Sequence, residues 1–513
     1  MATQKKSQIT SQAELDPKDK PLAPMHDWCE KHGDLIVLNS GLILTSELSS
    51  RNVQNCKILM RNMGLRFKQV KLASQELIEL LIANKNEEQI VVSNDPADVS
   101  IQQQRLRMLV REAVLEKVSD IHIQVRQDMA RVRFRKHGEL FLYAEWVPKV
   151  AREIAAVAFN KETDHAISHF NPLIPQGASM PMFIDGMEIR LRLASMPAHG
   201  GFDMVMRVLS LGDEQIPSLS ELGYTPAQLQ IIEKAVQMPH GAILIAGPTG
   251  SGKTTTLASA MQFIHDEKKI YTIEDPVEKV IPNATQVPIN TEKEDRGFAN
   301  MGRASLRMDP DVIVLGELRD ADTASVLVRA AITGHLVFTT IHTNSALNII
   351  TRLVDLGVSQ VMLGDKHLLV CLIFQRLVPK LCDVCAQPLT DMEGFDKQLP
   401  RWQAFFKQDF IKLRVRGKNC EACHGSGIAG RQVIAEVVWI DEPGRQFIQK
   451  CDTLGWHRYL REHGWQSYRD HAIELVRQGI CDPVDAEKII GEINSSFTEA
   501  EFNYQQVRGE LVE

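Results

Sequence analysis

The stretch HGAILIAGPTGSGKTTTL (240–257) concentrates more chemistry than any other part of the chain. Gly247, Gly252, Lys253 and Thr254 fit the spacing G-x-x-x-x-G-K-[ST]. With glycine at those places, the backbone N–H groups of Gly247, Pro248's neighbours Thr249 and Gly250, Ser251 and Gly252 can cradle phosphates at a helix N-terminus. Lys253 would reach the β- and γ-phosphates, and Thr254, followed by Thr255, would offer its hydroxyl to Mg²⁺. An apolar run precedes the loop and a helix start follows it, the context such a loop requires. The implied chemistry is binding and hydrolysis of a nucleoside triphosphate.

Hydrolysis also needs a carboxylate. DVIVLGELRD (311–320) delivers Glu317 at the C-terminal end of an apolar strand, where open α/β sheets place ligands. Glu317 could polarise the attacking water, hold Mg²⁺ through water, or merely cap a helix. Gly316 stands where many motors carry an acid. TIEDPVE (272–278) adds Glu274, Asp275 and Glu278 around a turn forced by Pro276, either a charged site or a solvated acidic turn. FANMGRASLRMDPD (298–311) places Arg303 and Arg307 four apart, on one face of a helix. Arg192 and Arg207 lie upstream. Arginines can answer γ-phosphate charge in the transition state, although each taken singly reads equally as a surface ion-pair partner. AAITGHLVFTTIHT (330–343) is a buried strand, Leu336–Ile341, with His335 before it and His342 after it. The strand alone leaves metal ligand, proton relay and ordinary strand-end residue open for both histidines.

Four of the nine cysteines form two C-x-x-C pairs, Cys382/Cys385 and Cys420/Cys423. Two thiolate pairs make a closed tetrahedral site, for which Zn²⁺ is the natural ion. Gly425 and Gly427 follow the second pair as knuckle-turn residues. A redox role needs only one pair.

The elements that must position these groups follow from the rest of the chain. At 513 residues it exceeds one hydrophobic core, so two to four domains are expected. With 44% hydrophobic and 24% charged residues it reads as globular, and a net charge of −7 gives no sign of bulk nucleic-acid binding. The start, MATQKKSQIT, lacks an apolar signal core, and no apolar run approaches the ~20 residues that span a bilayer, so a cytoplasmic location is expected. Residues 1–100 read as a polar arm and a small α/β domain, closed by the linker NEEQIVVSNDPADVS. Residues 101–215 read as α+β: an amphipathic helix at 101–118, then the alternating ARVRFRKHGEL with a turn at His137-Gly138, then MEIRLRLASMP ending at Pro197. From 216 to 440 strands and helices alternate, which implies a parallel sheet, with the cysteine element at 378–432 inside it. Residues 441–513 read as helices with a loose end.

In this order the motifs resemble the ATPase superfamily that powers type II secretion and type IV pili. GPTGSGKTTTL is similar to its Walker A box, TIEDPVE to its aspartate box, LRMDPDVIVLGELRDADTA to its Walker B region and AAITGHLVFTTIHTNSA to its histidine box. The resemblance implies a PAS-like α+β domain followed by a RecA-like motor carrying a Cys₄ zinc insertion. It implies ATP, Mg²⁺ and Zn²⁺ as cofactors, a homo-hexamer, an inner-membrane platform protein as partner, pilin as indirect cargo, and no direct nucleic-acid contact. It implies that Arg192, Arg207, Arg303 and Arg307 close over the nucleotide, and that His342 faces the γ-phosphate side while His335 is structural. QRLVPKLCDVC…CEACHGSGIAGR is similar to the element of assembly and secretion motors, which retraction motors lack. Pilus assembly is therefore the expected task, with type II secretion as the alternative and DNA translocation further off. Ile428, His137 and Asp322 depart from the family's usual aromatic, Asp and Glu.

Overall fold

The computed structural model describes residues 33–83, 101–160, 170–210, 216–289 and 297–493, with short breaks at 49, 392–394, 396–397 and 419, and isolated positions between 9 and 29. The linker expected at 86–100 and the chain end after 493 lie outside the described residues. Two compact units divide the chain, 1–212 and 213–513.

The first unit holds two sheets. β1 (Leu35–Val37), β2 (Leu42–Thr45) and β3 (Gln69–Leu72) form a small one, flanked by α1 (Arg51–Asn62) and α2 (Gln75–Ala83). The larger sheet is antiparallel throughout. It contains β4 (Asp120–Val125), β5 (Ala130–Lys136), β6 (Glu139–Trp146), β7 (Gln176–Ile184), β8 (Met187–Ala198) and β9 (Gly201–Ser210), in the order β6-β5-β4-β9-β8-β7. One face buries Ile121, Ile123, Val132, Phe134, Leu191 and Met204 against α3 (Ile101–Leu115) and α4 (Pro148–Asn160). The alternation in β5 and β8 is thus a one-sided sheet, apolar inward and Arg-rich outward. His137 (φ 53°) and Gly138 (φ 90°) make the tight turn expected of them. β8 runs through Pro197 to Ala198, one residue beyond the expected stop, because Pro197 sits at a hairpin end opposite Phe202.

The second unit is built on seven strands: β10 (Gly241–Ala246), β11 (Ile270–Glu274), β12 (Ala284–Pro288), β13 (Val312–Leu315), β14 (Leu336–Ile341), β15 (Leu369–Leu381) and β18 (Ile428–Trp439). Their order is β12-β11-β13-β14-β10-β15-β18. All pairs are parallel except β15 with β18. The short strands β10, β13 and β14 are buried along their whole length, as both-face coverage demands. One face packs on α6 (Phe298–Ser305), α7 (Ala321–Ile332) and α8 (Asn348–Asp355), the other on α5 (Lys253–Met261) and the helix Pro226–Val236. Helices from Glu442 to Ile490 follow β18, among them α9 (Tyr468–Arg477).

Arg303 and Arg307 do not share a helix. α6 ends at Ser305 and Leu306 caps it, because the Asp309-Pro310 pair disfavours helix beyond. Arg307 instead donates to the Arg303 carbonyl at 3.4 Å.

Candidate active site and metal centre

The phosphate loop leaves β10 and enters α5. Gly247 (φ 150°), Gly250 (φ 78°) and Gly252 (φ 82°) all occupy backbone conformations that side chains resist. A Cβ at Gly247 would also collide with the Gln375 carbonyl and come within 2.6 Å of Ser251 Oγ. Gly252 caps the helix without a side chain, so the first N–H groups of α5 point free of any capping oxygen. Lys253 Nζ donates to the carbonyls of Gly247 (2.8 Å) and Pro248 (3.1 Å). Burial drives the Lys253 ammonium down to about 8, against the pull of Glu317 and Glu278.

Glu317 follows β13 and faces the loop. Arg319 Nε donates to its Oε2 at 2.8 Å, and His342 Nε2 lies 3.3 Å from its Oε1. The Arg319 guanidinium reaches Asp275 as well, 3.5 Å away, and stands over the Phe298 ring. Burial pushes the Glu317 carboxyl up, but Arg319, His342 and Lys253 outweigh it and hold the group below the usual carboxylate range. Burial, then the charge of Lys253, holds His342 below the ordinary imidazole value while Glu317 opposes. Lys253, Glu317, His342 and Arg319 therefore form one mutually compensating cluster at the C-terminal edge of β10, β13 and β14. A carboxylate kept ionised beside an imidazole kept neutral can polarise a water and accept its proton.

Glu274 is a different kind of acid. It ends β11, is buried, and accepts from Thr272 Oγ1 (2.6 Å) and Gln286 Nε2 (2.9 Å), while burial raises its carboxyl. The turn after it contains a cis Asp275–Pro276 bond. Thr254 and Thr255 lie in the first turn of α5, half-buried, beside the charged cluster. Of the arginines, Arg303 and Arg307 are exposed. Arg192 and Arg207 face each other across β8 and β9 in the first unit, and Arg207 is held by Asp120 at 2.9 Å. His335 closes the end of α7: its Nδ1 sits 3.1 Å from the Ala330 carbonyl and 3.2 Å from Thr333 Oγ1.

Two residues of the pocket escaped the sequence reading. Arg319 stood in the quoted GELRD without a role. Gln375 is buried in β15, donates to the Ser251 carbonyl at 2.7 Å and accepts from the Tyr224 hydroxyl at 2.7 Å. It braces the phosphate loop from the neighbouring strand. The available signal was a lone amide in an apolar run, LLVCLIFQ.

The four thiols meet at the far end of the β15–β18 hairpin. Their Sγ atoms all lie within 4.8 Å of one another, and Cys385 and Cys423 are 3.7 Å apart. Thiolates about 2.3 Å from a tetrahedral Zn²⁺ stand roughly 3.8 Å apart, so the donor set fits that ion. Gly425 (φ 78°) and Gly427 (φ 71°) make the knuckle, and the Gly427 N–H donates to Cys423 Sγ at 3.1 Å. Between the two cysteine pairs the chain forms a small ribbon, β16 (Gln387–Pro388) with β17 (Arg414–Val415), which packs with Trp402 into a separate core cluster.

A parallel sheet with this loop, acid and histidine at its C-terminal edge defines a P-loop ATP hydrolase with a RecA-like motor fold. A solved structure titled as the Legionella pneumophila ATPase DotB shares that fold over 78% of this chain and 98% of its own, at TM-score 0.55 and 20% identity. The family described as type II/IV secretion system protein matches residues 95–500, and the chain belongs to it. The type II secretion system protein E of Aeromonas hydrophila is 32% identical over 469 residues, covering 87% of this chain and 90% of that one. The type IV pilus assembly ATPase PilB of Thermus thermophilus is 31% identical over 493 residues, covering 91% of this chain and 54% of that one.

Proposed function

We propose that this chain is the motor of a pilus-assembly machine, a homo-hexamer that hydrolyses ATP at the cytoplasmic face and passes the work to an inner-membrane platform protein. The observation that carries the ATP-driven part of this reading is the convergence of Lys253, Glu317 and His342 on one edge of the sheet, and the pilus-assembly task draws on the likeness to the Thermus thermophilus pilus assembly ATPase. Lys253 and the loop N–H groups hold the β- and γ-phosphates. Thr254 would hold Mg²⁺, which would shield phosphate charge. Glu317 orients and polarises the attacking water, Arg319 keeps Glu317 ionised and aimed, and His342 sits beside the same carboxylate. Glu274 fixes the turn that carries Asp275 and Glu278. Arg192, Arg207, Arg303 and Arg307 are the cations that answer developing phosphate charge, from the same chain or a neighbouring copy. Cys382, Cys385, Cys420 and Cys423 would hold Zn²⁺, which would cross-link the hairpin end into a docking element for the platform and, with four thiolate ligands, would take no part in the chemistry.

A type II secretion motor is the second reading. It draws on coverage: the chain spans 90% of the Aeromonas hydrophila protein but 54% of the Thermus thermophilus one. The test is ATP hydrolysis by the purified chain with Mg²⁺, followed by the K253A variant expressed in cells lacking the wild-type gene. Loss of pili with secretion intact supports the first reading; loss of secretion with pili intact supports the second. An ATPase rate unchanged in K253A would overturn both.

A further inference from the structure

His342 does not stand on β14 itself but on the segment that follows it, 342–347, before α8 begins. Within that segment Thr343 Oγ1 donates to the Ser345 carbonyl at 2.8 Å, and Ala346 is fully buried. The Ala346 N–H has no backbone acceptor; it donates instead to Glu436 Oε1 at 2.6 Å, ninety positions away on β18. The other oxygen of the same carboxylate, Oε2, accepts the Tyr468 N–H at 3.2 Å, at the start of α9. Glu436 is 2% exposed, and among the described residues no cation faces it. Burial, with a push from Asp470, raises its carboxyl to about 7 against the pull of the two N–H donors.

A buried carboxylate without a counter-ion weakens the fold, and a leucine of similar size would not. What the carboxylate offers is two acceptors at a fixed separation, and both are spent on segments that the sheet alone does not fix. Glu436 also lies opposite Phe374 in the β15–β18 register, and Phe374 meets the Tyr468 ring edge-on at 5.0 Å. The next residue of β15 is Gln375, which braces the phosphate loop. The position of the His342 segment and the position of α9 are therefore both referred to one strand pair.

We propose that Glu436 is a positioning residue for hydrolysis: its two oxygens clamp the His342 segment to the N-terminus of α9, so that His342 meets Glu317 only while α9 is docked. The proposal rests on the catalytic reading of the Glu317–His342 pair. In Glu436→Gln the side chain keeps its shape but turns an NH₂ group toward one of the two backbone donors, and one arm of the clamp is lost. Glu436→Met, of similar volume, loses both arms without opposing donors.

The experiment measures kcat and KM for ATP in the full chain carrying E436Q, E436M, H342A and the E436Q/H342A pair, alongside amide hydrogen exchange. Loss of one buried hydrogen bond to the segment should lower kcat about tenfold, with KM within about twofold. The pair should be no slower than H342A alone, because Glu436 acts through that histidine. Exchange should quicken at Ala346 and Tyr468 and stay unchanged in α5. If E436Q does not fold, the same readings on E436M decide. A wild-type kcat in the Glu436 variant, or losses that multiply in the pair, would overturn the clamp. A wild-type kcat in H342A would overturn the histidine's role instead, and the exchange at Ala346 and Tyr468 would still decide whether the clamp exists.

Discussion

The nucleotide pocket and the four-thiol cluster are both polar sites in one unit, yet they are held in opposite ways. The pocket is placed by strands. β10, β13 and β14 are wholly buried, and the groups at their ends compensate one another: Glu317 against Arg319, His342 and Lys253. The cluster is placed by turns. Its ligands sit in tight bends with left-handed residues at His424, Gly425 and Gly427, and a slight two-residue ribbon beside them. Four thiols in such reach repel once ionised, so a bound ion would fix that region's shape, whereas the pocket's shape comes from the sheet. Chemistry and architecture are separable in the first region and inseparable in the second.

That contrast can be broken in graded ways. Lys253→Ala should cut ATP hydrolysis by about 10³-fold or more, yet leave the melting temperature within a few degrees, since the sheet needs no lysine. A steady-state ATPase assay beside a thermal melt checks it; a large drop in melting temperature would show that the pocket too is structural. Glu317→Gln should slow turnover by about 10²-fold to 10³-fold with ATP still bound, read by equilibrium binding against single-turnover rates. Lost binding would move Glu317 to Mg²⁺ coordination. Cys420→Ser should release zinc and expose residues 380–430 to protease while ATP binding persists; about one zinc per chain retained would refute the four-thiolate site. The smallest effect is a pH dependence. Burial raises the folded Glu436 carboxyl to about 7 from an ordinary 4.5. A folded value above the unfolded one gives a stability contribution that is full below about 4.5 and lost as pH rises through about 7. The melting temperature of wild type minus that of E436Q should therefore fall between those pH values and level off above them. A difference that grows with pH would reverse the sign assigned to burial.

How much of this was legible in the sequence follows the same division. Where one local constraint dominates, reading worked: the apolar runs VIVL and LVFTTI are β13 and β14 to the residue, and the loop glycines announce their own conformations. It failed where the decisive partner is remote. Gln375 braces a carbonyl 124 positions away and Glu436 an amide 90 positions away. No local period marks such residues. β6 and β7 were not read as strands because both are edges: β6 exposes Leu140, Phe141 and Leu142 in succession, and β7 tolerates Pro181. Arg307 was placed on a helix because the spacing to Arg303 was weighed and the Pro310 stop was not.

The place of β10 in its sheet has a consequence for synthesis. The strand that carries the phosphate loop pairs with β14 on one side and β15 on the other, and both are encoded later in the chain. When residues 247–254 leave the ribosome, neither neighbour exists, and the brace at Gln375 is still 128 codons from Gly247. At roughly 5–20 residues per second that interval is on the order of ten seconds. Through that interval the nascent chain has the whole phosphate-loop sequence and no assembled nucleotide pocket, so this stretch of translation runs without a working ATP site of its own.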